Sequence, residues 1–129
     1  MDAFLAAEAL QALNALNIIS PSKKLAGFLI GHKRGRRFFV EKVLPAPAGF
    51  WPTLEDFARL DKLFEGKIIG LFAFGDAAKL KQHLFQPFAC GRLFLEVRTR
   101  EGRGLRFKAR RLDFEGRFYL EPVELRLEK

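Results

Sequence analysis

Cysteine is nearly missing from this chain: Cys90 is the single one, which excludes an internal disulfide framework and fits a reducing compartment, the cytoplasm. Cys90 follows Pro87 and lies between Ala89 and Gly91, a setting for a small packed thiol. A nucleophile would need a base beside it, and His83 is the one histidine close in sequence. Imidazoles are scarce too, with His32 and His83 the two in the chain, so a zinc site would need both plus a carboxylate to converge. No apolar run approaches the roughly 20 residues that span a bilayer. Met1 to Asn17 is rich in Ala and Leu, but it carries Asp2, Glu8 and Gln11 and lacks the basic start of a signal peptide. One Tyr and one Trp stand against 15 Phe, which implies a core filled with the aromatic that has no polar tip. Gly-rich phosphate loops, a Gly-x-Ser-x-Gly elbow and a CxxC pair are all absent, as are repeats.

What is present suits one globular domain over residues 1–129, with 49% hydrophobic and 29% charged residues. Leu5, Ala9, Ala12, Leu13 and Leu16 fall on one stripe at helical spacing, so an N-terminal helix is expected within 1–19. Leu25 to Ile30 and Arg37 to Leu44 read as a hairpin with a basic tip at Gly31 to Arg36. Pro45 to Pro52 is a rigid loop, and Thr53 with Asp56 makes an N-cap for a helix running to about Glu65. Ile68 to Phe74, bounded by Gly66 and Gly75, is expected to be a buried central strand. Asp76 caps a further helix that Pro87 stops. Gly91 opens a strand, and Leu105 to Leu112 and Arg117 to Leu127 complete a C-terminal meander. Helices between an early hairpin and a late meander point to an α+β domain with a mixed sheet and flanking helices.

Lys24-Leu25-Ala26-Gly27-Phe28-Leu29-Ile30-Gly31-His32 resembles the first core strand of the JAB/MPN domain, the fold of the JAMM metalloproteases. Val40 to Pro45 is similar to that family's second strand, Pro52 to Phe57 to the start of its middle helix, and Ile68 to Phe72 to the strand that ends in its zinc motif. The resemblance spans residues 24–97 and implies an MPN/JAB-like, cytidine-deaminase-like fold. It also implies that the chemistry is lost. Ala73 and Gly75 stand where active members carry the two zinc-binding histidines, and neither offers a lone pair. Lys24 stands where the family's general base is a Glu, and a cation neither accepts a proton at neutral pH nor tolerates a metal. The loop before the Asp ligand is deleted; Asp76 is the residue left at that position.

The resemblance therefore implies a pseudoenzyme with no cofactor and no zinc, one that binds a protein partner or a second copy of itself as a homodimer. Phe50 and Trp51, an apolar pair in the Pro-rich loop, are candidate interface anchors. A divergent hydrolase with a rebuilt site is a further alternative.

Charge supports a different partner. The formal net charge is +8, and residues 98–129 are expected to hold basic strands in which Arg106, Lys108 and Arg110 alternate with Leu105, Phe107 and Ala109. Arg98 and Arg100 alternate likewise in the preceding strand, and Arg34 and Arg36 sit on the early hairpin. If the two late strands pair, their cations share one surface that attracts nucleic-acid phosphates or an acidic protein. A solvated basic face that discourages edge pairing is the plain alternative.

Overall fold

A computed structural model describes residues 1–19, 25–46, 53–75, 86–100 and 104–128. Seven strands close into one barrel in the order β1-β3-β2-β4-β5-β6-β7. The strands are β1 (Asp2–Leu5), β2 (Ala26–Arg34), β3 (Arg37–Pro45), β4 (Ile68–Phe74), β5 (Leu93–Arg100), β6 (Gly104–Phe114) and β7 (Phe118–Leu127). Among the described residues two α-helices, α1 (Ala7–Ile19) and α2 (Leu54–Leu63), and a short 3-10 turn at Pro87–Ala89 accompany them.

This architecture corrects the expected α+β, MPN/JAB-like mixed sheet with flanking helices: the described residues form a closed barrel. The misread element is the N-terminus. Asp2 to Leu5 is a strand, with Ala3 and Leu5 fully buried and Asp2 and Phe4 turned outward. It runs parallel to β3 on one side and to β7 on the other, so four residues close the barrel. A segment this short satisfies a helical stripe and a strand alternation equally well, and its tertiary neighbours decide between them. From Ala7 onward the expected helix forms and buries Ala9 and Leu13.

Inside the barrel, Leu5, Leu29, Phe38, Val40, Phe72, Leu93, Leu95 and Val97 pack into one cluster that also takes in Ala9 and Leu13 of α1. A second cluster lies outside the wall. Phe28, Ile30, Leu71, Ala73 and Phe94 pack there against Phe57 and Leu60 of α2, Phe64 just after it, and Phe88. Strand β4 is thus apolar on both faces, as are the stretches of β2 and β5 beside it, which is why Ile68 to Phe74 reads as an uninterrupted hydrophobic run. Phe28, Phe38, Phe72 and Phe94 are all fully buried, as the Phe-rich composition implies.

The early hairpin turns at Gly35 and Arg36, the last two residues of the expected tip, and Gly31 lies inside β2. There the register with β3 slips by one residue, leaving Glu41 unmatched, and the register with β4 slips next to it, leaving Ile69 unmatched. Such bulges bend a strand sharply, and a closed barrel of this size needs bends. Helix α2 starts at Thr53 with a full capping box: Asp56 N–H donates to Thr53 Oγ1 (3.2 Å) and Thr53 N–H to Asp56 Oδ2 (3.1 Å).

Candidate functional site

The β5–β6 hairpin carries a cationic surface. Leu93, Leu95 and Val97 point into the barrel, which leaves Glu96 and Arg98 outward; on β6, Ala109 joins the interior and Arg106 and Lys108 are exposed. The register sets Arg98 directly opposite Arg106, Glu96 opposite Lys108, and Arg100 opposite Gly104. The expected strand pairing is therefore present, and it gathers Arg98, Arg106 and Lys108 on one face. Glu96, Arg98, Arg106, Phe107 and Lys108 line a cleft of about 110 Å³ there.

Glu96 forms the floor of that cleft and is 2% exposed. Arg98 Nη2 lies 3.5 Å from Glu96 Oε1, and Arg110 Nη1 lies 3.9 Å from Oε2. Arg110 is thus drawn down to the carboxylate, its side chain 23% exposed, so the third member of the expected basic row serves the wall of the cleft more than its rim. Among the described residues, Arg106 and Lys108 have no acid within ion-pair distance; the nearest register partners are Arg98 for one and the already paired Glu96 for the other. Glu96 was missed by charge counting. The alternation of Phe94, Glu96 and Arg98 against Leu93, Leu95 and Val97 carried the signal that it shares the cationic face.

The remaining candidates lie elsewhere. Ala73 is buried in the outer cluster, flanked in register by Ala26 and Glu96, and Gly75 N–H donates to Val97 O at 3.1 Å. Lys24, Asp76, His83, Phe50 and Trp51 lie outside the described residues. Among the described residues no three of His, Cys, Asp or Glu are grouped to hold a metal. Arg34 and Arg36 are exposed at the tip of the β2–β3 hairpin, remote in strand order from β6. The exposed large apolar residues, Ile18, Leu54, Leu63, Phe114 and Leu127, are distributed over α1, α2, β6 and β7. Scattered exposure of this kind is ordinary for a folded domain.

A cation that sequence reasoning did not single out is structural. Arg92 lies 4.5 Å over the Phe57 ring and donates to Ile68 O (3.2 Å) and Phe88 O (2.7 Å), tying α2 and the Pro87–Ala89 turn to β4. Burial pulls its pKa below the usual arginine value, while the nearby Asp61 opposes that shift.

Neither a protein-family model nor a curated protein matches the sequence. Solved structures do. A protein from Desulfitobacterium hafniense, known from its solution structure, superposes with a TM-score of 0.68 at 16% identity, over 98% of this chain and 94% of that one. A protein from Salinibacter ruber gives 0.61 at 15% identity, over 98% and 92%. At these identities the likeness shows a shared fold and nothing of function. No helix among the described residues is long and apolar enough to cross a membrane, a statement that concerns helices and not the barrel.

Proposed function

We propose that this barrel is a non-catalytic binding module for nucleic acid, with the outer face of the β5–β6 hairpin contacting the phosphate backbone. The observation that carries this reading is the direct cross-strand opposition of Arg98 and Arg106 beside an exposed Lys108. Like charges directly opposite on a sheet destabilise it. The buried Glu96 accounts for Arg98 within the fold but pairs with neither Arg106 nor Lys108, whereas a polyanion gains from every such cation by releasing condensed counterions. Glu96 holds Arg98 from below, so part of that arginine's freedom is lost before any ligand arrives. The surplus of cations over acids in the whole chain, 23 against 15, acts in the same direction at longer range. With one cysteine and no pairing partner for it, we place the module in the cytoplasm.

Labelled DNA and RNA oligonucleotides titrated at rising salt test the reading. The wild-type chain binds at low salt, and the double variant Arg106→Glu, Lys108→Glu weakens binding by about tenfold or more while its melting curve is unchanged. Both substituted positions are exposed, so folding is spared. Absence of any binding at low salt, or equal affinity of the double variant, defeats the reading.

A further inference from the structure

A second surface lies on the other side of the barrel, where three aromatic rings form a row across adjacent strands. Phe4 of β1 is the register partner of Phe39 of β3, and Phe39 is the partner of His32 of β2. All three point away from the interior, since Ala3, Leu5, Phe38 and Val40 fill it. The His32 ring stacks on Phe39 at 4.8 Å between centroids and 15° between planes, and the Phe4 ring lies 6.1 Å from Phe39. His32 is fixed in that pose by its Nδ1, 2.6 Å from Glu41 Oε1, and its side chain is still 47% exposed. Glu41 is the unmatched residue of the bulge, so the irregularity in β3 supplies the group that orients the histidine.

Cations border the row. Arg34 is directly opposite Arg37, a second cross-strand arginine pair, and Lys33 and Arg36 are exposed at the same hairpin tip. Arg37 is held by two hydrogen bonds to Asp2 (2.9 and 2.8 Å), and its guanidinium carbon lies 6.0 Å from the Phe39 ring. Helix α2 and Phe88 pack on the outer face of β2, β4 and β5, and leave Phe4 and Phe39 half-exposed.

We infer that the Phe4–Phe39–His32 row is a stacking platform for unpaired bases, so that the ligand of the module is single-stranded nucleic acid. The inference rests on the nucleic-acid reading of the β5–β6 face and narrows it. Each base presents a π-face whatever its sequence, and a row of rings beside a cationic rim matches a chain of bases beside a phosphate backbone. A duplex hides those faces, and its phosphates meet only the cations. The competing explanation is that the rings merely strengthen strand pairing, as cross-strand aromatics do.

The test measures affinity for a single-stranded homopolymer and for a duplex of equal length, using wild type, Phe39→Leu, His32→Ala and the Arg106→Glu, Lys108→Glu variant. Phe39→Leu keeps an apolar side chain and removes the ring, and His32→Ala alters an exposed position, so it serves if Phe39→Leu is poorly folded. Expected is a loss of about tenfold or more in single-strand affinity for each platform variant, with duplex affinity unchanged. Arg106→Glu, Lys108→Glu weakens both ligands. Platform variants that hold the single strand as tightly as wild type, or a wild type indifferent between the two ligands, overturn this inference and leave the proposed function standing. A wild type that binds neither ligand at low salt ends both.

Discussion

Gly31 and Gly70 are where one backbone lies against another. A Cβ added at Gly31 would sit 1.8 Å from Phe39 O, and one at Gly70 would sit 2.3 Å from Leu93 O. Neither oxygen can yield without breaking the strand pairing that defines the barrel. Gly35 differs, because its φ of +56° asks for glycine while the space around it is open. Gly31→Ala and Gly70→Ala are each expected to lose about 2–3 kcal/mol in chemical denaturation, and Gly35→Ala about 1 kcal/mol, from backbone strain alone. Equal losses at Gly31 and Gly35 would contradict the close approach of the Phe39 backbone to Gly31. At this scale much was legible: the alternation of Arg106 and Lys108 with Phe107 places them on the outer face as read. Burial of Glu96 was not legible, because it depends on Arg98 and Arg110 arriving from two strands. Gly31 reads as a turn residue in sequence, since a glycine for a turn and a glycine for close backbone approach look alike.

Among the elements, α2 follows its sequence signals most closely. Thr53 and Asp56 cap each other as their spacing implies, and Thr53→Ala is expected to remove about 1 kcal/mol of stability. The Asp56 carboxyl is held below the usual aspartate range first by the Thr53 backbone N–H, then by the Thr53 side chain, with Arg59 adding less. A depressed carboxylate contributes fully above its unfolded value, about 3.9, and the contribution disappears as pH falls through the lower folded value. The stability difference between wild type and Asp56→Asn, measured by urea melts, is therefore largest near neutral pH and shrinks in strong acid. A difference that stays constant down to the acid limit would remove the ionic part of the cap. Element β1 was illegible by contrast: Asp2 to Leu5 is too short for its own pattern to choose between helix and strand, and its partners β3 and β7 lie far along the chain.

Closure is a property of the whole molecule, and local patterning does not report it. Strands β2 through β7 could be read as a hairpin and a meander, but whether they form an open sheet or a barrel depends on β1 filling the gap between β3 and β7. Leu5 is fully buried at that seam. Leu5→Asp places an unpaired carboxylate inside the barrel, a cost of several kcal/mol against a total of about 5–15 for a domain of ordinary stability. The expected outcome is loss of near-ultraviolet circular dichroism and of cooperative melting; a cooperative transition near that of wild type would show that the barrel does not need its β1 seam. The same seam carries Asp2, whose carboxyl is held low chiefly by its hydrogen bond to Arg37, opposed by desolvation and helped by Arg126. Its contribution too is complete above the usual aspartate value and fades in acid, so closure weakens as pH falls.

Closure puts the β5–β6 face on display, and the slope of log affinity against log salt concentration reports whether phosphates sit on it. Removal of two phosphate-contacting cations reduces the magnitude of that slope by about 1.4 on a single strand and about 1.8 on a duplex. The Arg106→Glu, Lys108→Glu variant is predicted to show a line flatter than that of wild type by at least that difference, with the loss of affinity largest at low salt. Parallel lines of equal slope would mean that Arg106 and Lys108 touch no phosphate, and the β5–β6 face would lose its assigned role.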